Sequence, residues 1–282
     1  IFTFMSENQI WVTKASGEEE PFSVDKLKRS LRNAGADKAI IDKIVEEMYK
    51  WLYQGVTTKK IYAHAFSLLK KQPDVSGLRY RLKQAILELG PSGYPFETLI
   101  GQLFAKQGYA TEVGIVVEGN CVTHEMDVIA TYDKKQHLVE CKYSKHQGKQ
   151  VSVQVPLYVH SRVNDIVKKR KGISATKDYE FKGWVVTNTR FSEDSIQYGK
   201  CSGLDLLAWD YPHGKGLKNL IEDYKIYPIT IMRNLTKAHK KILLEQGIVT
   251  CNQLYQKMNT LDKLNLTAPR LKRVRNELKS VV

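Results

Sequence analysis

The sequence has no uninterrupted apolar run of about 18 residues and nothing like a signal-peptide core, which excludes a helical membrane span and leads to the expectation of a cytoplasmic chain with no membrane partner. Its cysteines, at positions 121, 141, 201 and 251, share no C-x-x-C spacing. That excludes a zinc ribbon and a disulfide framework, and small buried thiols are expected instead. The G-x-x-x-x-G-K-[ST] phosphate loop is absent, so nucleotide hydrolysis is not implied. Acid is also in short supply: 44 Lys and Arg face 30 Asp and Glu, a net charge of +14. A chain so basic is expected to meet a polyanion. With 42% hydrophobic and 26% charged residues it is an ordinary globular composition, and 282 residues suit two domains, or two and a small appendage. The four residues before Met5 are expected to play no structural part.

The charge is unevenly placed. Residues 233–282 carry eleven Lys and Arg against three acids, whereas 90–232 carry 18 against 16. Residues 10–89 predict a short hairpin and four helices: strand character at 10–13, a turn at Gly17, Ser23 as N-cap of a helix reaching Gly35, then helices at about 37–53, from a Thr57 or Thr58 cap to 71, and 76–89. Gly90-Pro91-Ser92-Gly93 breaks that pattern and suggests a domain boundary. From there the period changes. A helix at 95–107, strands at 109–117, 125–131 and 137–143, a helix at 153–170, a strand at 184–187, a helix near 192–200 and a strand at 204–209 make an α/β pattern with a mixed sheet. The tail is helical, punctuated by Gly247 and Pro269.

The densest chemistry lies at 124–142. Side chains two apart on a strand share a face, so Glu140 and Lys142 project together. If Lys134-Lys135 closes the hairpin, Asp127 faces Lys142 and Glu140 lies diagonal to both. Two carboxylates are hard oxygen ligands for a magnesium-like ion, with an ammonium at hand to orient water or stabilise a phosphate transition state. On spacing alone the same trio could instead be a cross-strand salt-bridge set on a solvated face.

The Asp-x12-Glu-x-Lys pattern within helix, strands, helix and strand resembles the PD-(D/E)XK nuclease superfamily in its Mrr-like restriction-endonuclease branch, over about 92–210. The resemblance implies Asp127, Glu140 and the Cys141 backbone carbonyl as ligands of Mg²⁺ or Mn²⁺, and Lys142 as the residue that assists the attacking water. It further implies Glu97, in the opening helix, as an auxiliary acid, with Gln154 and Tyr158 beside the site. Met126 stands where the motif name has proline. Thr187, Asn188 and Arg190 form either a plain turn or a DNA-backbone contact, and the basic run 168–171 either a solvated helix end or a phosphate track.

Val12-Thr13-Lys14-Ala15-Ser16-Gly17 followed by Glu20-Pro21-Phe22-Ser23-Val24-Asp25-Lys26-Leu27 is similar to the ATP-cone, a nucleotide-sensing module. That likeness implies ATP or dATP as an allosteric ligand, with Lys14 and Lys26 on its phosphates, Val12 and Phe22 on its base, and Glu20, Ser23 and Thr58 nearby. The tail resembles a helix-hairpin-helix bundle, with Arg270, Lys272, Arg273 and Arg275 fanned around its last helix to grip DNA or, alternatively, serving dimerisation or packing.

The expected protein is therefore multidomain: an α-helical ATP-cone with an N-terminal β-hairpin (10–89), an α/β restriction-endonuclease-like mixed-sheet core (90–232) and a small all-α basic domain (233–282). The expected function is Mg-dependent DNA hydrolysis, in restriction or defence, under ATP or dATP control and by a dimer or larger homo-oligomer. The competing readings are an inactive, nucleotide-regulated DNA-binding protein and a structure-specific repair or junction nuclease.

Overall fold

The chain divides after Arg81, into Ile1–Arg81 and Leu82–Val282. The computed structural model describes residues 9–14, 17–33, 36, 38–70, 81–146 and 148–282. Ala15, Ser16, Gly35, the residues before Met5 and the 76–80 start of the expected fourth helix, with Arg79 and Tyr80, lie outside the described residues.

In the first unit β1 (Trp11–Thr13) pairs antiparallel with β2 (Glu19–Pro21), Val12 opposite Glu20. It also pairs in parallel with β3 (Val56–Thr57), a strand where the sequence predicts only the cap of the next helix. Helices α1 (Val24–Asn33), α2 (Lys38–Trp51) and α3 (Thr58–Lys70) follow the expected pattern. Ser23 Oγ accepts the Lys26 N–H at 3.3 Å, as an N-cap should, and Thr57 rather than Thr58 caps α3 by accepting the Lys60 N–H at 3.2 Å. Leu27, Leu31, Ile41, Ile44, Met48 and Leu69 bury the inner stripes of these helices.

The second unit is built on a five-stranded sheet in the order β10-β8-β6-β5-β4. The strands are β4 (Ala110–Glu118), β5 (Thr123–Tyr132), β6 (Lys135–Lys142), β8 (Glu180–Thr187) and β10 (Asp205–Leu207). β4, β5 and β6 form an antiparallel meander, while β6, β8 and β10 run parallel. The parallel connections are α6 (Gln154–Lys171) and α7 (Glu193–Ser202). A two-stranded ribbon, β7 (Gln150–Val151) beside β9 (Arg190–Phe191), precedes each of those helices. α5 (Tyr94–Lys106) lays Phe96, Leu99, Ile100, Leu103 and Phe104 on the sheet. Its Gly101 allows close approach, since a Cβ there would stand 2.8 Å from a Val113 methyl.

The hairpin register differs from the expected one. Val128 faces Val139 and Tyr132 faces Lys135, so the loop is Asp133-Lys134, with Asp133 at φ 51°. A short Asp side chain tolerates the left-handed region better than a lysine, which selects this loop. The shift is two residues, so every side chain keeps its face. The thiol expectation also needs correction: Cys141 and Cys251 are buried, but Cys121 and Cys201 are exposed.

Helix α4 (Leu82–Leu87), expected to end the first domain, packs within the second unit. Its Ile86 and Leu87 carbonyls accept the Tyr143 hydroxyl at 3.3 and 2.8 Å, and its Ala85 carbonyl accepts the buried Thr230 hydroxyl at 2.6 Å. The apolar face of a short helix is readable in sequence, but which core receives it is not. Beyond α8 (Leu217–Asp223) the tail comprises α9 (Lys237–Glu245), α10 (Cys251–Gln256), a 3₁₀ stretch Met258–Leu264 and α11 (Ala268–Val281). Polar bonds tie its last helix and α9 back to the segment that leads into it. Lys240 donates to the Thr230 carbonyl at 2.6 Å, and Glu277 accepts the Arg233 and Asn234 N–H groups at 2.6 and 2.9 Å. Arg270, expected in the cationic fan, donates to the Asn234 carbonyl at 2.8 Å, and Arg275 pairs with Asp262 at 3.5 Å.

Candidate active site

The β5–β6 ladder stops at Val128 and Val139. One residue further, Asp127 Oδ2 accepts the backbone N–H of Cys141 at 2.6 Å, so a side chain replaces the next backbone partner and fixes the carboxylate beside the diverging strands. Continuing that register brings Asp127 opposite Glu140, where the expected register had Lys142. Glu140 is only 4% exposed. Its Oε1 accepts Lys142 Nζ at 2.7 Å and the Tyr158 hydroxyl at 2.5 Å, and its Oε2 accepts Arg162 at 2.7 Å. Arg162 also donates to the Glu125 carbonyl. A buried carboxylate ringed by two cations and a phenol is pre-organised, and the solvated salt-bridge alternative is thereby excluded for Glu140.

Tyr158 and Arg162 are four residues apart on α6, so both reach one strand face. Lys142 and Arg162 also lie 5.4 and 5.8 Å from the centre of the Tyr158 ring. The sequence reading missed Arg162, although its spacing from Tyr158 was the available signal. Gln154, the first residue of α6, is exposed and makes no hydrogen bond to this cluster among the described residues.

Thr187 and Asn188, read as possible DNA contacts, are buried and serve the cluster from behind. The Thr187 hydroxyl donates to the Lys142 carbonyl at 2.7 Å. The Asn188 side chain takes the Ser144 N–H at 2.8 Å and donates to the Ser144 carbonyl at 2.7 Å, which clamps the end of β6.

The electrostatics are those of crowded carboxylates. Burial and the charge of Glu140 push the Asp127 pKa up to about 6, against the opposing pull of the Cys141 N–H. Glu97, in the first turn of α5, is pushed up to about 7 by burial and by Asp127, Glu125 and Glu140. Gly93 leaves it room, as a Cβ there would lie 2.9 Å from Glu97 Oε1. Burial works against the Lys142 ammonium, yet its hydrogen bonds to Glu140 and Tyr158 prevail and raise its pKa. Lys142 is thus a cation at neutral pH. Burial likewise keeps the Cys141 thiol protonated.

Oxygen donors of this kind, two or three carboxylates and a strand carbonyl, match a hard divalent cation, whose charge would relieve their mutual repulsion. No group of three or more His, Cys, Asp or Glu among the described residues is close enough to hold a metal by side chains alone.

In the first unit, Lys14 and Lys26 meet at Glu20 Oε2, 3.3 and 3.0 Å away. The Lys26 bond and then Lys14 hold the Glu20 carboxyl below its usual range. Phe22 is half-buried, edge-on to Tyr49 at 6.1 Å. Val12 is buried in the core, and Thr58 opens α3.

A mixed sheet bearing Asp on one strand and Glu-x-Lys on the next, flanked by helices, defines a nuclease fold of the restriction-endonuclease class. The sequence profile of the restriction endonuclease family matches residues 90–212, that of the ATP cone domain 10–83 and that of the AF1548-like C-terminal domain 227–282. The chain belongs to this restriction-endonuclease-like family and carries an ATP cone domain in front. An uncharacterized protein of Archaeoglobus fulgidus is 30% identical over 184 residues, which are 65% of this chain and 99% of that protein. The crystal structure of a protein of unknown function, AF1548, superposes with a TM-score of 0.55 at 29% identity, covering 67% of this chain and 98% of that one. The MspJI restriction endonuclease in complex with a 27-mer oligonucleotide gives a TM-score of 0.33 at 14% identity, over 56% of this chain and 34% of that one. Among the described residues no helix is long and apolar enough to cross a membrane.

Proposed function

We propose that the protein is a metal-dependent DNA endonuclease whose cutting is regulated by an adenine nucleotide bound to the ATP cone. The observation that carries this reading is the meeting of Asp127, Glu140 and Lys142 at the diverging end of β5 and β6, with Cys141 between the two acids. Asp127, Glu140 and the Cys141 carbonyl would hold Mg²⁺ or Mn²⁺, and Glu97 lies close enough to feel their charge. Such an ion lowers the pKa of water and neutralises charge developing on a phosphate. The rest falls to the protein. Lys142, held as an ammonium, orients the attacking water and offsets charge on the phosphoryl oxygens. Tyr158 and Arg162 hold Glu140 in place. Glu97, poised near neutrality, can take up a proton released at the site.

In the cone, Lys14 and Lys26 would meet the nucleotide phosphates, Phe22 would lie against the base, and Glu20, Ser23, Val12 and Thr58 would shape the surroundings. The ligand acts by differential affinity for two states of the protein. Cutting both strands calls for a second copy of the site, hence a homo-oligomer.

Incubation of supercoiled plasmid with Mg²⁺ or Mn²⁺, with and without ATP or dATP, tests the proposal beside the Asp127→Ala variant. Nicking that disappears with Asp127 is the expected result, and nicking that survives rejects the site. One observation favours a second reading: both oxygens of Glu140 are already engaged by Lys142, Tyr158 and Arg162. Tight DNA binding with no cutting under either metal would therefore establish a nucleotide-regulated DNA-binding protein, and a strong preference for branched substrates a junction nuclease.

A further inference from the structure

The parallel strands β8 and β10 end at a cavity of about 350 Å³ bordered by Lys83, Lys149, Arg190, Trp209 and Tyr211. In open α/β sheets ligands bind outside the carboxyl ends of the strands, and this volume lies within the ordinary range of ligand pockets. The cavity adjoins the candidate active site through Asn188, which lines it and whose side chain clamps Ser144, two residues past the end of β6.

Its charge is out of balance. Among the described residues Lys83, Lys149 and Arg190 have no carboxylate partner, and the single lining acid, Asp210, is bonded to Lys218 at 3.3 Å. Lys83 lies 5.8 Å from the centre of the Trp209 ring. Burial above all, then the nearby Lys218 and Arg190, lower its pKa against the opposing charge of Asp210. Phe191 and Tyr211 meet edge to face at 6.4 Å on the same wall. Phosphates of an intact duplex need only cations on an open surface. A concavity that joins three cations with no bonded carboxylate among the described residues to aromatic side chains matches a phosphate together with its base.

We infer that this pocket receives one nucleotide displaced from the DNA strand, its phosphate among Lys83, Lys149 and Arg190 and its base against the Trp209–Tyr211 wall. The inference rests on the proposal that the neighbouring site acts on DNA, but its test requires binding only. A free nucleotide has the same chemistry, and continuity with the catalytic strand through Asn188 favours the DNA strand as its source.

The affinity of Asp127→Ala protein is measured for a short duplex and for the same duplex with one mismatch stepped along it. A mismatched nucleotide is cheaper to extrude, so binding should tighten about tenfold at one position. With Lys83→Ala/Arg190→Ala added, that gain should vanish and the dependence of log affinity on log salt should flatten by about one. The cone variant Lys28→Ala serves as a control and should keep the gain. The absence of a favoured mismatch position, or a gain that survives the double substitution with an unchanged melting temperature, overturns the inference. So does competition by dAMP in the absence of any mismatch effect, which would assign the pocket to a free nucleotide. Displacement without cutting by the unsubstituted protein would sink the nuclease reading and leave the pocket standing, while normal cutting with no mismatch effect would do the reverse.

Discussion

The same charge motif occurs in both units of the protein among the described residues. In the cone, Lys14 and Lys26 share Glu20 at the edge of a hairpin; beside the sheet, Lys142 and Arg162 share Glu140. The difference is water. The side chain of Glu20 is 25% exposed and that of Glu140 is 5% exposed. Exposed pairs are screened and readily exchanged, so Lys14 and Lys26 can leave Glu20 for a phosphate. Around Glu140 the pairing is locked by a phenol and flanked by a carboxylate bonded to backbone, which suits groups that must not move during chemistry. On the proposed function, one motif serves release and the other rigidity.

The largest effect should come from breaking the rigid member. Asp127→Ala is expected to lower metal-dependent cutting by roughly 10³-fold or more, since several kcal/mol of charge stabilisation is lost with the ion. Single-turnover nicking measures this, and retained DNA affinity shows that the fold survives. Glu140→Ala should cost stability as well. It leaves Lys142 and Arg162 beside one another without the carboxylate that bonds both, at a cost of about 3 kcal/mol. The low end of the usual range applies because their side chains remain 36% and 23% exposed. Urea titration checks it, and an unchanged midpoint would show that the two cations find other partners.

A smaller effect is expected from pH. In metal-free protein the Asp127 and Glu97 pKa values, about 6 and about 7, lie above the ordinary carboxyl values of 3.8 and 4.5. The folded state therefore binds these protons more tightly than the unfolded state. Their contribution is complete below about pH 4 and is lost as pH rises through about 6 to 7. A divalent ion competes with the same protons, so Mg²⁺ should raise the melting temperature more at pH 8 than at pH 5, and Asp127→Asn should shrink that contrast. Asp165 runs the other way. His124, at 2.8 Å, and the Cys121 and Val122 N–H groups draw its pKa down to about 2, so its stabilisation is present above about pH 4 and lost in stronger acid.

The two regions were unequally legible in the sequence. Asp127, Glu140 and Lys142 could be placed on one face because strand alternation is a period of two, and the actual register, two residues away from the expected one, preserves that face. The register itself depended on whether Asp133 or Lys134 opened the loop, a choice made by backbone conformation that composition does not settle. Arg162 remained hidden because a helix's phase against a sheet is a tertiary fact, and Gln154, expected with Tyr158 beside the site, falls on the exposed start of the same helix. Helix α4 was expected in the first domain because local pattern marks breaks in periodicity, whereas the Tyr143 and Thr230 bonds that hold it in the second unit span more than 40 residues. In the cone, β3 is too short to show alternation at all.

The exposed member of the pair gives the smallest and most discriminating test. Glu20→Gln removes the charge that Lys14 and Lys26 share while keeping the side chain's shape. Surface pairs contribute little, so the melting temperature should move by no more than about 2 °C. If the two ammonium groups are there for phosphate, ATP or dATP should bind about two- to fivefold more tightly in the variant, because it no longer has to displace a resident carboxylate, and the gain should shrink with added salt. Lys26→Ala should weaken the same binding, and in the double variant the Glu20 effect should largely disappear, the signature of groups acting through one another. Equal nucleotide affinity in the three variants and the unsubstituted protein would leave the cone's cations as ordinary surface charge, and the contrast with Glu140 would then reflect burial alone and not two different tasks.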